Sequence, residues 1–454
     1  MTTPTIVLVG HGMVGQRFLE ALADRDLISR ARVIVLCEEP RPAYDRVQLT
    51  SYFSGTTPEG LSLVEAGFME KHGIELHLGD PAVTIDREAR TVTARSGLTV
   101  AYDTLVLATG SYPFVPPVPG KDAAGCFVYR TVEDLLAIEE YAMTSRTGAV
   151  VGGGLLGLEA AGALKGLGLT THIVEFNPRL MSLQVDEGGG AALRRTVEDM
   201  GLIVHTGVGT QEIVTGPDGS VTGMSLSDGS ALDADLVVFS AGVRPRDQLA
   251  RECGLPVGER GGIVVDERCR TADEAVYAIG ECALASDGRV YGLVAPGYQM
   301  AEVAANAIAG EAGTFDGADL STKLKLLGVD VASFGDAHGA TPGCLDVLYS
   351  DSRSGVYKKL VVSPEGVLLG GILVGDADSY GTLRPLTGSV PPVSPGQLVL
   401  PAGSGAPVAL GVPSLPDEAV ICSCHNVTKG TILAAITEHS CTTVPEVRKC
   451  TKAG

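Results

Sequence analysis

Apolar residues gather along this chain in short unbroken runs, each followed by glycines and then by a segment whose apolar positions recur every three or four residues. The run TIVLV at 5–9 leads into GHGMVG and the pattern QRFLEAL; the run GAVV at 148–151 leads into GGGLLG and LEAAGAL. A short apolar run bounded by glycine predicts a strand buried on both faces, and the 3.6-residue period predicts a helix, so each stretch reads as one strand-turn-helix unit. Matching apolar runs follow both copies. RVIVLCEE at 32–39 and TLVLATG at 104–110 come after the first, and THIVEF at 171–176 and LVVFSAG at 236–242 after the second. AVYAIGE at 275–281 and the helix-like YQMAEVAANAIAG at 298–310 complete the series.

The glycines of the two units stand in the spacing Gly-x-Gly-x-x-Gly, as Gly10, Gly12 and Gly15 and again as Gly152, Gly154 and Gly157. The first glycine makes the tight turn, the second lets the backbone approach a pyrophosphate, and the third lets helix pack on strand, with the helix N-terminus facing the anion. One such fingerprint is weak evidence, and two in one chain are much stronger. Each is followed by a strand ending in acid, which suits a ribose hydroxyl: Glu38 and Glu39 after the first turn and Glu175 after the second. A carboxylate at the second site repels a 2′-phosphate, so NADH is favoured over NADPH, a preference that Arg179 moderates. The fold class expected is α/β, with two Rossmann-like domains, one inserted in the other. Residues 1–118 with 244–310 form the first, and 119–243 the second.

Strand-like LKLLGVDVASFGD, YKKLVVS and GVLLGGILVGD predict a small α+β domain over 311–387. Seven prolines between 388 and 416 predict a semi-extended linker. A last module at 417–454 opens with ICSCHNVTKGTILAAI, in which Cys422 and Cys424 can share a metal. Four ligands close such a site, and Cys441 and Cys450 stand as alternative partners whose spacing matches no established pattern.

Composition narrows the function further. At 454 residues the chain is long enough for about three domains. A formal charge of −20 argues against nucleic acid or an anionic membrane as partner. The N-terminus lacks a charged leader region, and the longest apolar stretch is interrupted by Glu159 and several glycines, so a cytoplasmic location is expected. The single cysteines at 37, 126, 253, 269, 282 and 344 read as core or incidental thiols. None follows Cys37 in EEPRPAYDRVQLTSYFSG.

The two glycine turns, ATG at 108–110, AGVRPR at 241–246 and YAIGE at 277–281 together resemble the flavoprotein disulfide and ferredoxin reductase superfamily. That resemblance implies FAD at the first turn and NADH at the second. Glu38 or Glu39 would meet the adenosine ribose, Arg46 and Arg130 the phosphates and flavin, and Glu281 the ribityl chain. Val83, Thr109, Gly110, Gly242 and Gly280 would complete the cofactor surfaces, and Glu159 would act catalytically near the nicotinamide. Arg46 and Arg130 also suit plain ion pairs, and the N-terminus of its own helix is another partner for Glu159. The last module resembles the bacterioferritin-associated-ferredoxin-like 2Fe-2S domain. Its second cysteine pair would fall beyond Gly454, so the cluster is expected to assemble poorly in these 454 residues.

From end to end, the order of segments is similar to the N-terminal half of the large subunit of cytoplasmic NADH-dependent assimilatory nitrite reductases. The resemblance implies electrons passing from NADH through FAD and a 2Fe-2S centre to a sirohaem and 4Fe-4S half that is absent here. It also implies a small subunit and a homo-oligomer as partners. The alternatives are an electron-transfer subunit of an assimilatory nitrate reductase, a stand-alone NADH-ferredoxin-type reductase and a non-catalytic FAD-fold binding protein.

Overall fold

In the computed structural model, which describes residues 3–326, 328–401, 415–422, 427–451 and 453, the run TIVLV forms β1 (Thr5–Val9) in the middle of a five-stranded sheet. β2 (Arg32–Leu36) pairs with it in parallel on one side and Thr104–Leu107 on the other, and Glu75–His77 and Val276–Ala278 form the edges. Helix α1 (Met13–Asp24) packs along the helix Val294–Ala309. Phe18, Leu19 and Leu22 from one, and Met300, Ala301 and Ala304 from the other, join the strands in a single core. This is why the strands read as unbroken apolar runs: helices leave them no solvent face. A three-stranded antiparallel sheet, Ala82–Asp86, Thr91–Ala94 and Thr99–Ala101, belongs to the same unit.

That unit comprises Met1–Tyr112 and Val243–Ala318, so its limits differ from the expected 118, 244 and 310. The extension past 310 has a packing reason. Phe315 is buried edge-on to Tyr291, with centroids 5.4 Å apart, and its N–H donates to the Glu267 carbonyl at 2.7 Å. Residues 311–318 therefore finish the first unit and do not begin the small domain.

The second unit, Pro113–Gly242 with Asp319–Gly454, repeats the plan. β3 (Thr147–Val151) is flanked in parallel by β4 (Thr170–Glu175) and Leu236–Phe239, with Ile203–Thr206 and Cys126–Val128 outside them. Helix α2 (Leu155–Gly166) packs on β3 and β4. The small domain is a five-stranded antiparallel sheet spanning Thr322–Leu326 to Leu368–Val374. Its strand Val356–Val362 is buried along most of its length, including Lys358 and Lys359. Both lysines are paired, Lys358 with Asp376 at 2.6 Å and Lys359 with Asp186 and Asp346 at 3.3 and 3.4 Å, as buried charge requires.

The expected linker proves to be partly core. Val399 is buried in the small domain's apolar cluster with Leu398 against it, and Ser389 accepts from the Leu368 N–H at 2.9 Å. Residues 402–414 of that stretch lie outside the described residues. Beyond them, Val420–Cys422 pairs antiparallel with Val427–Thr428, followed by α3 (Lys429–His439) and α4 (Val444–Thr451). Among the described residues no helix is long and apolar enough to cross a membrane.

Candidate functional site

The two glycine turns have the same construction. Gly10 ends β1 at φ +101° and Gly152 ends β3 at φ +120°, both in the left-handed region where a side chain is strained. A Cβ at Gly10 would run into the Ala108 carbonyl, and one at Gly152 into the Ser240 carbonyl. Their N–H groups donate to the neighbouring acid strand, Gly10 to Leu36 at 2.9 Å and Gly152 to Val174 at 2.8 Å. The third glycines, Gly15 and Gly157, lie directly against the carbonyls of Gly10 and Gly152, where any side chain would push helix from strand. The second glycines differ in kind. A Cβ at Gly12 or Gly154 would meet nothing within 4 Å, so that face is open. Gly12 and Gly154 are also the N-caps of α1 and α2, and neither helix has a side-chain cap. Open backbone N–H groups at an unblocked helix N-terminus fit a pyrophosphate.

Residues from three strand ends gather around the first turn. Val9, Leu107 and Ala278 are in register across the sheet, so the segments that follow them emerge side by side. Thr109 Oγ1 donates to the Arg246 carbonyl at 2.6 Å, and the Arg246 N–H donates to Gly110 at 2.9 Å. Gly280, at φ +76°, lies against Val14 of α1, and Ser111 Oγ donates to the Glu281 carboxylate at 2.7 Å. At the end of β2 the two acids already have partners: Glu38 pairs with Arg246, and Glu39 with Arg46 and with the Tyr44 hydroxyl at 2.8 Å. The Arg46 guanidinium stacks over the Tyr44 ring at 4.9 Å. Val83, in the small antiparallel sheet, leaves its side chain exposed.

One residue of this turn had no functional reading in the sequence. His11, between Gly10 and Gly12, is buried, and burial holds its imidazole below the ordinary histidine range, so it is neutral at pH 7. Its Nε2 meets Gln16 Oε1 at 3.0 Å, while its Nδ1 is buried without a hydrogen-bond partner. A polar residue between the first two glycines, where a small one would suffice, was the available signal. An unpaired buried nitrogen in the cradle fits a site built for a polar group.

At the second turn Glu175 closes the acid strand with its side chain inward, only 7% exposed. Oε2 accepts from the Gly153 N–H at 2.5 Å, and Oε1 from the Asn177 N–H and side-chain amide at 2.7 and 2.6 Å. The acid thus shapes the turn it was expected to serve, and Asn177 is a supporting residue that sequence reasoning missed. Oε1 is filled by those two donors, and Oε2 keeps one further accepting site. Arg179, the nearby cation, directs Nε to the Val185 carbonyl at 2.9 Å and Nη2 to that of Ser182 at 3.4 Å. Glu159 is half-buried on α2, two residues past Gly157. Arg130 precedes the capping box at Thr131–Asp134, donating its N–H to Asp134 at 3.1 Å, and Gly242 adopts φ +100° after the strand Leu236–Phe239; both belong to this second unit.

In the last module Cys422 is half-buried at the end of its strand, and Cys424 lies outside the described residues. Among the described residues no three His, Cys, Asp or Glu side chains converge as a metal site. Cys37, Cys269 and Cys282 are buried as expected of core thiols, whereas Cys126, Cys253 and Cys344 are half-buried.

Residues 4–309 match the pyridine nucleotide-disulphide oxidoreductase family, 321–386 the rubredoxin NAD+ reductase C-terminal domain, and 420–454 the BFD-like 2Fe-2S binding domain. The nitrite reductase NAD(P)H large subunit of Klebsiella oxytoca is 58% identical over 440 residues, covering 96% of this chain and 46% of that protein. The nitrite reductase (NADH) large subunit of Escherichia coli is 53% identical over 459 residues, covering 100% of this chain and 54% of that protein. The chain spans about half the length of these curated relatives. Among solved structures, the ferredoxin reductase for the CYP199A2 system from Rhodopseudomonas palustris superposes with a TM-score of 0.76 at 27% identity, covering 87% of this chain and 97% of that one.

Proposed function

Because the chain belongs to the pyridine nucleotide-disulphide oxidoreductase family, we propose that it is the electron-input part of an NADH-dependent nitrite reductase large subunit. The observation that carries this reading is the order of matches along one chain: two dinucleotide folds, a reductase C-terminal domain and a 2Fe-2S domain, 53–58% identical to such large subunits nearly end to end. In the half of those relatives that the chain does not span, nitrite would be reduced to ammonium on sirohaem and a 4Fe-4S centre. The relatives' designation as large subunits supports a small subunit as partner.

FAD fits the first turn and NADH the second. When bound, FAD supplies the conversion of a two-electron hydride donor into a source of single electrons for an iron-sulfur centre. The chain's own residues hold and aim the groups. The open faces of Gly12 and Gly154 admit pyrophosphates onto the uncapped starts of α1 and α2. Ser111 fixes Glu281 beside the first turn, where the carboxylate can accept from a ribityl hydroxyl. Glu175 accepts from a ribose hydroxyl and repels a 2′-phosphate. Arg179, which could have received that phosphate, is engaged by two backbone carbonyls, which supports NADH over NADPH. Glu159 on α2 is the carboxylate assigned to the nicotinamide side, and Cys422 with Cys424 supplies thiolates toward the 2Fe-2S centre.

Steady-state oxidation of NADH by the FAD-loaded chain with ferricyanide as acceptor tests the assignment. Turnover with NADH, and much weaker turnover with NADPH, is expected; a chain that binds FAD and oxidises neither nucleotide is a binding protein, and the reductase reading fails.

A further inference from the structure

The last module holds a second sulfur feature apart from the Cys422 and Cys424 pair. α3 ends at Ser440, a non-glycine residue at φ +51°, and the chain turns at once through Cys441 into α4. Glu446 braces that turn: its Oε2 accepts from the Thr442 N–H at 2.7 Å and from the Thr442 hydroxyl and Thr443 N–H at 3.1 Å. The braced turn holds Cys441 against the last turn of α4, where Cys450 lies. Their sulfurs are 3.6 Å apart, in van der Waals contact, and Cys441 Sγ is also 3.7 Å from the Ala435 carbonyl.

Two thiols in contact can hydrogen-bond, share a metal or form a covalent bond. Cys422 is described, yet neither it nor any other His, Cys, Asp or Glu among the described residues joins the pair as a third ligand. The pair by itself has the geometry for two-electron oxidation. A disulfide needs the sulfurs at about 2.05 Å, so side-chain rotation has to bring them closer by about 1.5 Å. The two cysteines are not equivalent: Cys441 is 9% exposed and Cys450 is open to solvent. Burial, and then the Cys450 sulfur beside it, push the Cys441 thiol above its ordinary range, which keeps it a protonated donor toward Cys450.

We propose that Cys441 and Cys450 form a peroxide-responsive dithiol site, with Cys450 the attacking thiol and Cys441 the resolving one. Cys450 sulfur takes one oxygen of hydrogen peroxide as the O–O bond breaks, giving a sulfenic acid and one water. Cys441 sulfur then attacks the Cys450 sulfur, the S–O bond breaks and a second water leaves. Two thiols and one peroxide become one disulfide and two waters, and the new bond ties the end of α4 to the turn that precedes it. The site is independent of the nucleotide sites, so it stands or fails without reference to reductase activity.

The test uses the full FAD-loaded chain, reduced and freed of reductant, then given hydrogen peroxide, with dimedone and N-ethylmaleimide as traps and peptide mass mapping as readout. The wild type should lose two thiols and yield a linked peptide pair containing Cys441 and Cys450. Cys441→Ser should stop at a dimedone adduct on Cys450. Cys450→Ser should slow peroxide modification of Cys441 by about tenfold or more, because the remaining thiol is buried. A wild-type map with both cysteines still maleimide-labelled while other thiols are oxidised, or with either linked to Cys422 or Cys424, overturns the proposal. So does Cys441 reacting at the wild-type rate in Cys450→Ser. The wild-type map decides even if a variant folds poorly.

Discussion

Replacing Glu175 with glutamine separates the acid's two tasks. The carboxylate accepts from Gly153 on one oxygen and from two Asn177 donors on the other. An amide of the same shape keeps one accepting oxygen; turned toward Asn177, it sets its NH2 against the Gly153 N–H. One hydrogen bond to a charged acceptor, worth about 1.5–3 kcal/mol, is then lost from the turn. The effect on cofactor choice is larger. A carboxylate and a 2′-phosphate about 4 Å apart repel by about 4 kcal/mol per charge pair at an effective dielectric of about 20, close to a thousandfold in affinity. Removing the charge should therefore relieve the penalty on NADPH while NADH loses only about tenfold through the weakened turn and ribose contact. The assay is kcat/KM for NADH and NADPH with ferricyanide, beside a thermal melt. The NADH to NADPH ratio should fall by at least about tenfold in Glu175→Gln, mostly through KM. A ratio unchanged within about twofold, in a variant that keeps the wild-type melt, would refute the role given to Glu175.

Gly154→Ala and Gly152→Ala should part company: a Cβ at 154 meets nothing, whereas one at 152, at φ +120°, meets the Ser240 carbonyl. The first should melt within about 0.5 kcal/mol of the wild type yet lose NADH binding by fluorescence titration, and the second should lose stability by more than about 1 kcal/mol. In the small domain, Asp376→Asn strands Lys358, whose side chain is 3% exposed, while Lys358→Met strands only Asp376, at 25%. Urea unfolding should therefore show the aspartate variant losing about 3–5 kcal/mol and the lysine variant clearly less. Burial alone would raise the Asp376 pKa, but the Lys358 hydrogen bond and charge hold it below the ordinary carboxylate value. A depressed folded-state pKa gives stability that is complete above the unfolded value and lost as pH falls through the folded one. The difference between wild type and Asp376→Asn should thus be full at pH 7 and shrink only below about pH 4, in melts run across that range.

The two strand-turn-helix units were legible because their signal is local: glycines are required where backbone meets backbone, as at Gly10 against Ala108 and Gly15 against Gly10. What was not legible depends on partners far along the chain. Phe315 extends the first unit past residue 310 by packing on Tyr291, and Val399 converts part of a proline-rich stretch into core, and neither contact leaves a period in the sequence. Glu175 was legible as an acid at a strand end, but its bonds to Gly153 and Asn177 arise only once the turn has folded. His11 carried a signal in its place between the first two glycines, whereas nothing in the spacing marks Asn177. Cys441 and Cys450 were visible as residues, and their contact depends on the turn that Glu446 braces.

The central claim is that this chain takes reducing equivalents from NADH through a bound flavin. Anaerobic titration of the FAD-loaded chain with NADH tests it most directly. The flavin's visible absorption should bleach stoichiometrically with NADH and far less readily with NADPH; a flavin that stays oxidised in excess NADH would overturn the reductase reading.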